Sequence, residues 1–414
     1  MRVVGLGFVS VVLAISSGCG SDPCEGVSGT CIGFEEGASA TDVQTALIQV
    51  QPGSTIAFGE GTFHFTVDLS LDVDNVTITG AGMDATVLSF KGQTTGPQGL
   101  YVTGDHFAIH DIAIEDTPGD ALKLEGSDGV RIERVRVEWT GGPKETNGSY
   151  GLYPVQCKNV LVDGCVVKGA SDAGVYVGQS DFIELRNNHV EQNVAGIEIE
   201  NSTRADVHDN VTTKNTGGIL VFNLPGLQVE NGAVTRVFHN QSFDNNTVNF
   251  APSGNIVGLV PTGTGIAILA AHQVEIFDND IHDHKSVNIG VISYVPTGIA
   301  VDDPTYDQYP TAIAIHDNRL SGTSDMPTGM LGALLISAIG EIMPNGPFIV
   351  PDIAWDGVLD PARTYTEADK ICIKNNGDAD FINLAWPLNA DTVPSTDMAP
   401  HDCTLAALGG VSLP

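Results

Sequence analysis

Read in registers of 22, the stretch from Ala173 to Val221 repeats itself. Val175-Tyr176-Val177-Gly178-Gln179-Ser180 returns as Ile197-Glu198-Ile199-Glu200-Asn201-Ser202, and Ile219-Leu220-Val221 stands 22 residues further on. Each unit then supplies a second short strand that runs into Asn, Ile183–Asn188 and Ala205–Asn210. A fixed period of this length, made of short β-branched runs cut by Gly and Asn, predicts an all-β solenoid. One repeat cannot bury its apolar side alone, so neighbours must stack.

The second strand of the unit lets the rungs be counted. It recurs at Val76, Phe107, Val130, Val160, Ile183, Ala205, Thr235, Val274 and Ile313, with starts 31, 23, 30, 23, 22, 30, 39 and 39 residues apart. Short spacings predict bare rungs and long ones predict rungs that carry loops. Gly141–Ser149, Asn223–Ala233, Phe250–Gly263 and Ser293–Thr311 are the larger insertions. Such loops gather on one side of a solenoid and wall a cleft. Three residues after each of the last five strands stands Asn188, Asn210, Asn240, Asn279 or Asn318. Asparagines at one turn position, ~4.8 Å apart along the stack, are expected to bond their amides in a ladder.

The ends are expected to differ from the middle. Ala40–Val50 reads as an amphipathic helix, with Thr41 as N-cap and Val43, Ala46, Leu47 and Val50 on one face, capping the first rung. Beyond Ile342 the register disappears. The organisation expected is therefore a signal segment 1–18, a tether 19–36, the capped coil 37–342 and an irregular C-terminal cap 343–414. Arg2 followed by the apolar run Val3–Ile15 and Ser16-Ser17-Gly18-Cys19 is a targeting pattern. It resembles a bacterial lipoprotein signal with Cys19 as lipidated first residue, and ordinary secretory cleavage is the alternative. Either way the mature chain is expected in the cell envelope or secreted, touching a membrane only through a lipid at Cys19. In an oxidising compartment Cys24–Cys31 and Cys372–Cys403 are expected to bridge. Cys157 and Cys165, with a strand between them, are expected to exceed the ~7 Å Cα limit and to remain buried thiols.

The formal charge of −33 excludes nucleic acid and disfavours anionic lipid and polyanionic polymers unless cations intervene. Only 6% of residues are aromatic, so where aromatics align matters.

The Gly-Ile-x-Ile…Asn-x-Val rungs resemble the right-handed parallel β-helix repeats of pectin-active enzymes, mannuronan C-5 epimerases and other carbohydrate-processing proteins. Trp139–Pro143, Tyr150–Gln156, Gly169–Ser180, Ala195–Ser202 and Gly217–Phe222 resemble a family of exported bacterial β-helix proteins over residues 75–395. That resemblance implies a single-stranded right-handed parallel β-helix, frequent lipid anchoring and gene neighbourhood with a c-type-cytochrome-like envelope protein. It implies no established activity.

Side chains alternate along a strand. With Leu122 and Leu124, Val175 and Val177, and Ile197 and Ile199 inward, Lys123, Tyr153, Tyr176, Glu198, Leu220 and Ala267 form one outward column. Glu125, Val155, Gly178, Glu200 and Phe222 form the next, with Gln156 at its edge. Trp139 and Tyr150 are expected to lean over the top, and Asp172 to end the turn before Val175. Tyrosines flanked by carboxylates, Lys and Gln on a flat exposed sheet suit a polysaccharide or oligosaccharide. The same columns also suit an ordinary polar solenoid face.

Binding without turnover is the leading functional expectation. A lyase, epimerase or glycoside hydrolase on the same face is the alternative, and a scaffold for an envelope partner is the third. Lyase or epimerase chemistry would take Lys123, Lys168 or His189 as base, Tyr153 or Tyr176 as proton donor, and Asp172 or Glu198 to hold Ca²⁺. No cofactor is required otherwise. The run Tyr150-Gly151-Leu152-Tyr153-Pro154-Val155 lacks the Asp and His of the epimerase pattern it resembles. A hydrolase needs two carboxyls about 5–9.5 Å apart, which Asp172 with Glu198, or Glu198 with Glu200, would supply. His272, His282 and His284 with Asp278, Asp280 and Asp283 form a second, weaker cluster, readable as a metal site or as a solvated turn.

Overall fold

A computed structural model describes residues 22–322, 327–342, 350–387 and 393–414. The signal segment and Cys19 lie outside the described residues. The chain winds into a parallel β-solenoid with three walls. The first wall is an 11-stranded sheet running from Val67–Leu71 to Phe381–Asn383. The second and third walls join into a 20-stranded sheet, because Ala108–Glu115 and Asp128–Glu138 run round the corner between them. Each bends at a left-handed residue, Asp111 (φ 57°) and Arg134 (φ 51°). In later rungs the same corner breaks the strand.

The period-2 pattern explains the interior. Leu122, Leu124, Leu152, Val175, Val177, Ile197, Ile199, Ile219, Ile266 and Ile289 point into one continuous apolar core. The expected ladder is present: each side-chain amide donates to the next Oδ1, Asn188 to Asn210, Asn240, Asn279, Asn318 and then Asn376, at 2.9–3.0 Å. The left-handed turn residue is the one just before each of these asparagines: Asn187, Asp209, His239, Asp278 and Asp317 all have φ between 53° and 56°. A second ladder, not foreseen, links Asn193, Asn215 and Asn245 and ends on buried His284.

Both disulfides, Cys24–Cys31 and Cys372–Cys403, are formed, and Cys157 and Cys165 are buried free thiols at two corners. The helix Ala40–Gln49 caps the open end with Val43 and Leu47 buried, but its N-cap is Ser39, which accepts from the Asp42 N–H, rather than Thr41.

Two expected boundaries move. Thr30–Phe34, placed in the tether, already pairs in parallel with Ser54–Phe58. At the other end the coil does not stop at Ile342. Ile353–Trp355 and Phe381–Asn383 extend the first wall, and Ile371–Lys374 extends the second. The apolar helix Gly329–Ile342, inserted between rungs, hides the period there. Residues after Cys403 then turn back along the second wall. Leu408 N–H donates to Glu275 Oε2 (3.0 Å), Val411 N–H to Asp206 Oδ2 (2.9 Å), and Arg131 Nη2 to the carbonyl of Pro414 (3.2 Å). This stretch ties together rungs that are not neighbours.

Candidate functional site

Parallel pairing without slippage sets the side chains of successive rungs in line. On the first wall Tyr101 pairs with Lys123, Lys123 with Tyr153, Tyr176 with Glu198, Glu198 with Leu220, and Leu220 with Ala267. Glu200 lies between Gly178 and Phe222 in the adjacent column. These side chains point away from the core, as alternation requires.

The wall is not flat and exposed, however. Tyr176 is 4% exposed, Asp172 6%, Glu198 1% and Glu200 7%. The insertions fold back over it. Val257, Val260, Tyr294 and Tyr306 pack with Tyr176, Leu220 and Phe222 in a second apolar cluster outside the coil. Its open end is at the earlier rungs, where Tyr101, Lys123, Glu125, Tyr150 and Tyr153 are partly exposed. The carboxyls are thus covered side chains that lie beside a partly exposed aromatic platform.

Three tyrosine rings meet here. Tyr150 lies 4.5 Å from Tyr153 and 4.6 Å from Tyr176, and Tyr153 lies 5.0 Å from Tyr176, edge to face. Lys123 Nζ sits over the Tyr101 and Tyr153 rings and pairs with Glu125 at 3.0 Å, while Tyr101 donates to the same carboxylate. Tyr176 donates to Glu200 Oε1 at 2.6 Å. Its ring reaches there by lying over Gly178, where a Cβ would stand 2.3 Å from the phenol oxygen. Gly178 is thus a requirement of close approach.

The carboxyls behind the rings are electrostatically unusual. Asp172 accepts from Asn255 Nδ2 at 2.7 Å, yet burial, reinforced by Asp120, pushes it up to about 7. Burial likewise raises Glu200 to about 7 against the bond from Tyr176, and Asp120 to about 6. Glu198 is held well above the ordinary carboxyl range, by burial first and then by Glu200 and Asp172. Neither of its carboxyl oxygens has a hydrogen-bond partner in the protein. Burial raises Tyr153 to about 12 and pushes Tyr150 and Tyr176 upward, so all three phenols stay protonated donors. Near neutral pH the site therefore offers both neutral carboxylic acids and carboxylates, the pairing that acid–base chemistry uses.

Of the residues expected at the site, Lys123, Tyr150, Tyr153, Asp172, Tyr176, Glu198 and Glu200 come together. Gln156 stays at the edge, in the left-handed turn (φ 56°) that leaves the wall. Trp139 does not lean over the platform. It is 5% exposed in the main core, with Nε1 donating to the Thr117 carbonyl, because the corner there has room for an indole and a buried carbonyl to satisfy it. Lys168 and His189 stand on the third wall, one corner away, where Lys168 pairs with Glu191 at 2.8 Å. The histidine cluster is dispersed: His272 on the second wall, His282 on the third, His284 in the interior ladder. Among the described residues no group of three His, Cys, Asp or Glu is arranged to hold a metal ion.

Four contributors were not foreseen. Tyr101 shares the register of Lys123, and Asp120, which accepts from the Tyr150 N–H at 3.3 Å, stands one rung before Tyr150, so the repeat carried their signal. Asn255 and Tyr306, whose hydroxyl donates to the Asn223 carbonyl at 2.6 Å, come from aperiodic insertions that carried none.

Residues 70–234 match the family model described as the right handed beta helix region. No curated protein matches the sequence. Among solved structures, the A-module of the mannuronan C-5 epimerase AlgE4 from Azotobacter vinelandii is 16% identical, over 81% of this chain and 90% of that one, with a TM-score of 0.48. DFA-IIIase from Arthrobacter chlorophenolicus A6 is 13% identical over 76% and 86%, with a TM-score of 0.45. Alginate lyase from Paenibacillus sp. str. FPU-7 is 14% identical over 71% and 97%, with a TM-score of 0.38. The protein is a right-handed parallel β-helix.

Proposed function

We propose that this right-handed parallel β-helix binds a neutral saccharide on its first wall. Tyr101, Lys123, Tyr150 and Tyr153 form the open platform, and Asp172, Glu198 and Glu200 receive sugar hydroxyls at the inner end. The observation that carries this reading is Glu198, a carboxyl with both oxygens buried and unpartnered. Leaving such a group unsatisfied costs about 1–3 kcal/mol or more, which packing does not return. Sugar hydroxyls, which both donate and accept, are the partners it lacks, and phenol rings stack on sugar C–H faces. A uronate polymer fits less well, since Asp120, Glu125, Asp172 and Glu200 would repel it and the chain carries a net −33.

The test is a panel of neutral and acidic oligosaccharides, read by calorimetry, with wild type and a Lys123→Ala, Tyr153→Ala double variant. Tyr176 is unsuitable as a silent probe because it is part of the buried cluster. Neutral sugars are expected to bind, and the variant to bind at least about tenfold more weakly with little change in melting temperature. Unchanged binding by the variant would sink the assignment. EDTA is expected to leave binding unaltered.

Glycoside hydrolysis is the second reading, favoured by three adjacent carboxyls of unequal proton affinity. Release of reducing ends, abolished by Glu198→Gln, would establish it. Lyase or epimerase turnover finds less support, because two of the three candidate bases stand on another wall. Export, a lipid at Cys19 and an envelope partner such as a c-type-cytochrome-like protein belong to the same proposal. The two disulfides support export. Loss of membrane association in a Cys19→Ala variant is the expected result for the anchor.

A further inference from the structure

Beyond Glu198 the outward column of the first wall loses bulk. Leu220 is followed in register by Ala267, Gly290 and Ala354. The roof does not descend to match. It is built there from three separate insertions, the 3-10 turns Ile256–Leu259 and Val295–Thr297 and the helix Gly329–Ile342. Between receding wall and roof lies a cavity of about 50 Å³, lined among others by Phe222, Val260, Ala267, Gly290, Leu335 and Ala354.

The chemistry of the lining restricts what can enter. Its polar side chains are already engaged: Thr264 donates to the Pro261 carbonyl, Thr297 to the Tyr294 carbonyl, and Asp356 accepts from the Ser293 N–H and hydroxyl and from the Val358 N–H. A sugar ring or a peptide would find no partner for its polar groups there and would be penalised. A hydrocarbon chain would meet no such penalty. An empty apolar cavity is itself destabilising. Filling it from within the sequence is sterically open, since a Cβ on Gly290 would meet only Val287 Cγ1 at 3.7 Å and Ile292 Cδ1 at 3.9 Å. The cavity also lies next to the carboxyls, because Phe222, which lines it, is the register partner of Glu200.

We infer that this cavity takes the alkyl chain of an amphiphile whose polar, sugar-bearing head lies on the carboxyl–tyrosine site. The ligand class is then an alkylated or acylated saccharide. The position of the head rests on the saccharide reading above; the occupancy of the cavity by hydrocarbon does not.

Calorimetric titration with n-alkyl β-D-glucosides from methyl to octyl, each below its micelle concentration, tests this. Affinity is expected to rise about fourfold per methylene over the roughly two or three methylenes that a cavity of about 50 Å³ accepts, then level off. Gly290→Leu should occupy the space, raise the melting temperature and flatten the chain-length series. Should that variant not fold, Ala267→Leu serves the same purpose. A wild-type series without slope, or a slope that persists in the filled variant, overturns the inference. A slope that vanishes on filling, with no effect of Lys123→Ala, Tyr153→Ala on any glucoside, upholds the hydrocarbon cavity and removes the saccharide reading.

Discussion

Glu198, at 1% exposure, is held protonated by burial first and then by the carboxyls of Glu200 and Asp172. Asp172 and Glu200 titrate at about 7 in the folded protein, against roughly 4 in an unfolded chain. A raised carboxyl pKa means that the folded state holds its proton where the unfolded state has released it. The associated stability is therefore full below about pH 4 and is lost as pH rises through 7. Glu198→Gln removes one member of the set. It is expected to be more stable than wild type by about 1–3 kcal/mol at pH 8.5, to match it near pH 5, and to lose ligand binding. Urea denaturation at the two pH values checks this, and equal differences at both would refute it. At this scale the sequence was informative about alignment and silent about burial. Rungs of 23 and 22 residues place Tyr153, Tyr176 and Glu198 in line without any knowledge of coordinates. Their depth depends on Asn255, Val257 and Tyr306, which obey no period.

Strand and corner form one unit in this fold. The walls are apolar alternation, but the corners are polar groups taken inside and satisfied only by their counterparts one rung away. Asn210 shows the dependence: its Oδ1 accepts from the backbone and side chain of Asn188, and its Nδ2 donates to the Leu185 carbonyl and to Asn240. Asn210→Ala would leave buried partners on both sides unpaired. A loss of about 2–4 kcal/mol is expected, larger than for Asn187→Ala at the neighbouring exposed turn, and denaturant midpoints of the two variants measure it. The first ladder was legible because Asn recurs at one offset after each strand. The second was equally periodic, since Asn193, Asn215 and Asn245 stand five residues after Asn188, Asn210 and Asn240, but its next position is His284, which broke the recurrence of Asn. Trp139 was misjudged for a related reason: a corner residue has no strand parity, so alternation does not say which way it points.

A solenoid is close to one-dimensional, and its stability is close to a sum over adjacent repeats. Such a molecule is expected to fray from an end. Here the stretch after Cys403 contradicts that simplicity. It is fastened to the last rungs by the Cys372–Cys403 bridge, then to Glu275, Asp206 and finally Arg131, across sequence separations of 133, 205 and 283 residues. Removal of 404–414 is expected to broaden the thermal transition and expose the C-terminal rungs first to protease, while leaving the amino-terminal rungs protected. A truncated chain that melts as sharply as the full one would show the tie to be passive. Mechanically, the strap is a tendon laid along a spring. It lets distant coils share load, so that a pull on one end is passed to rungs far from it.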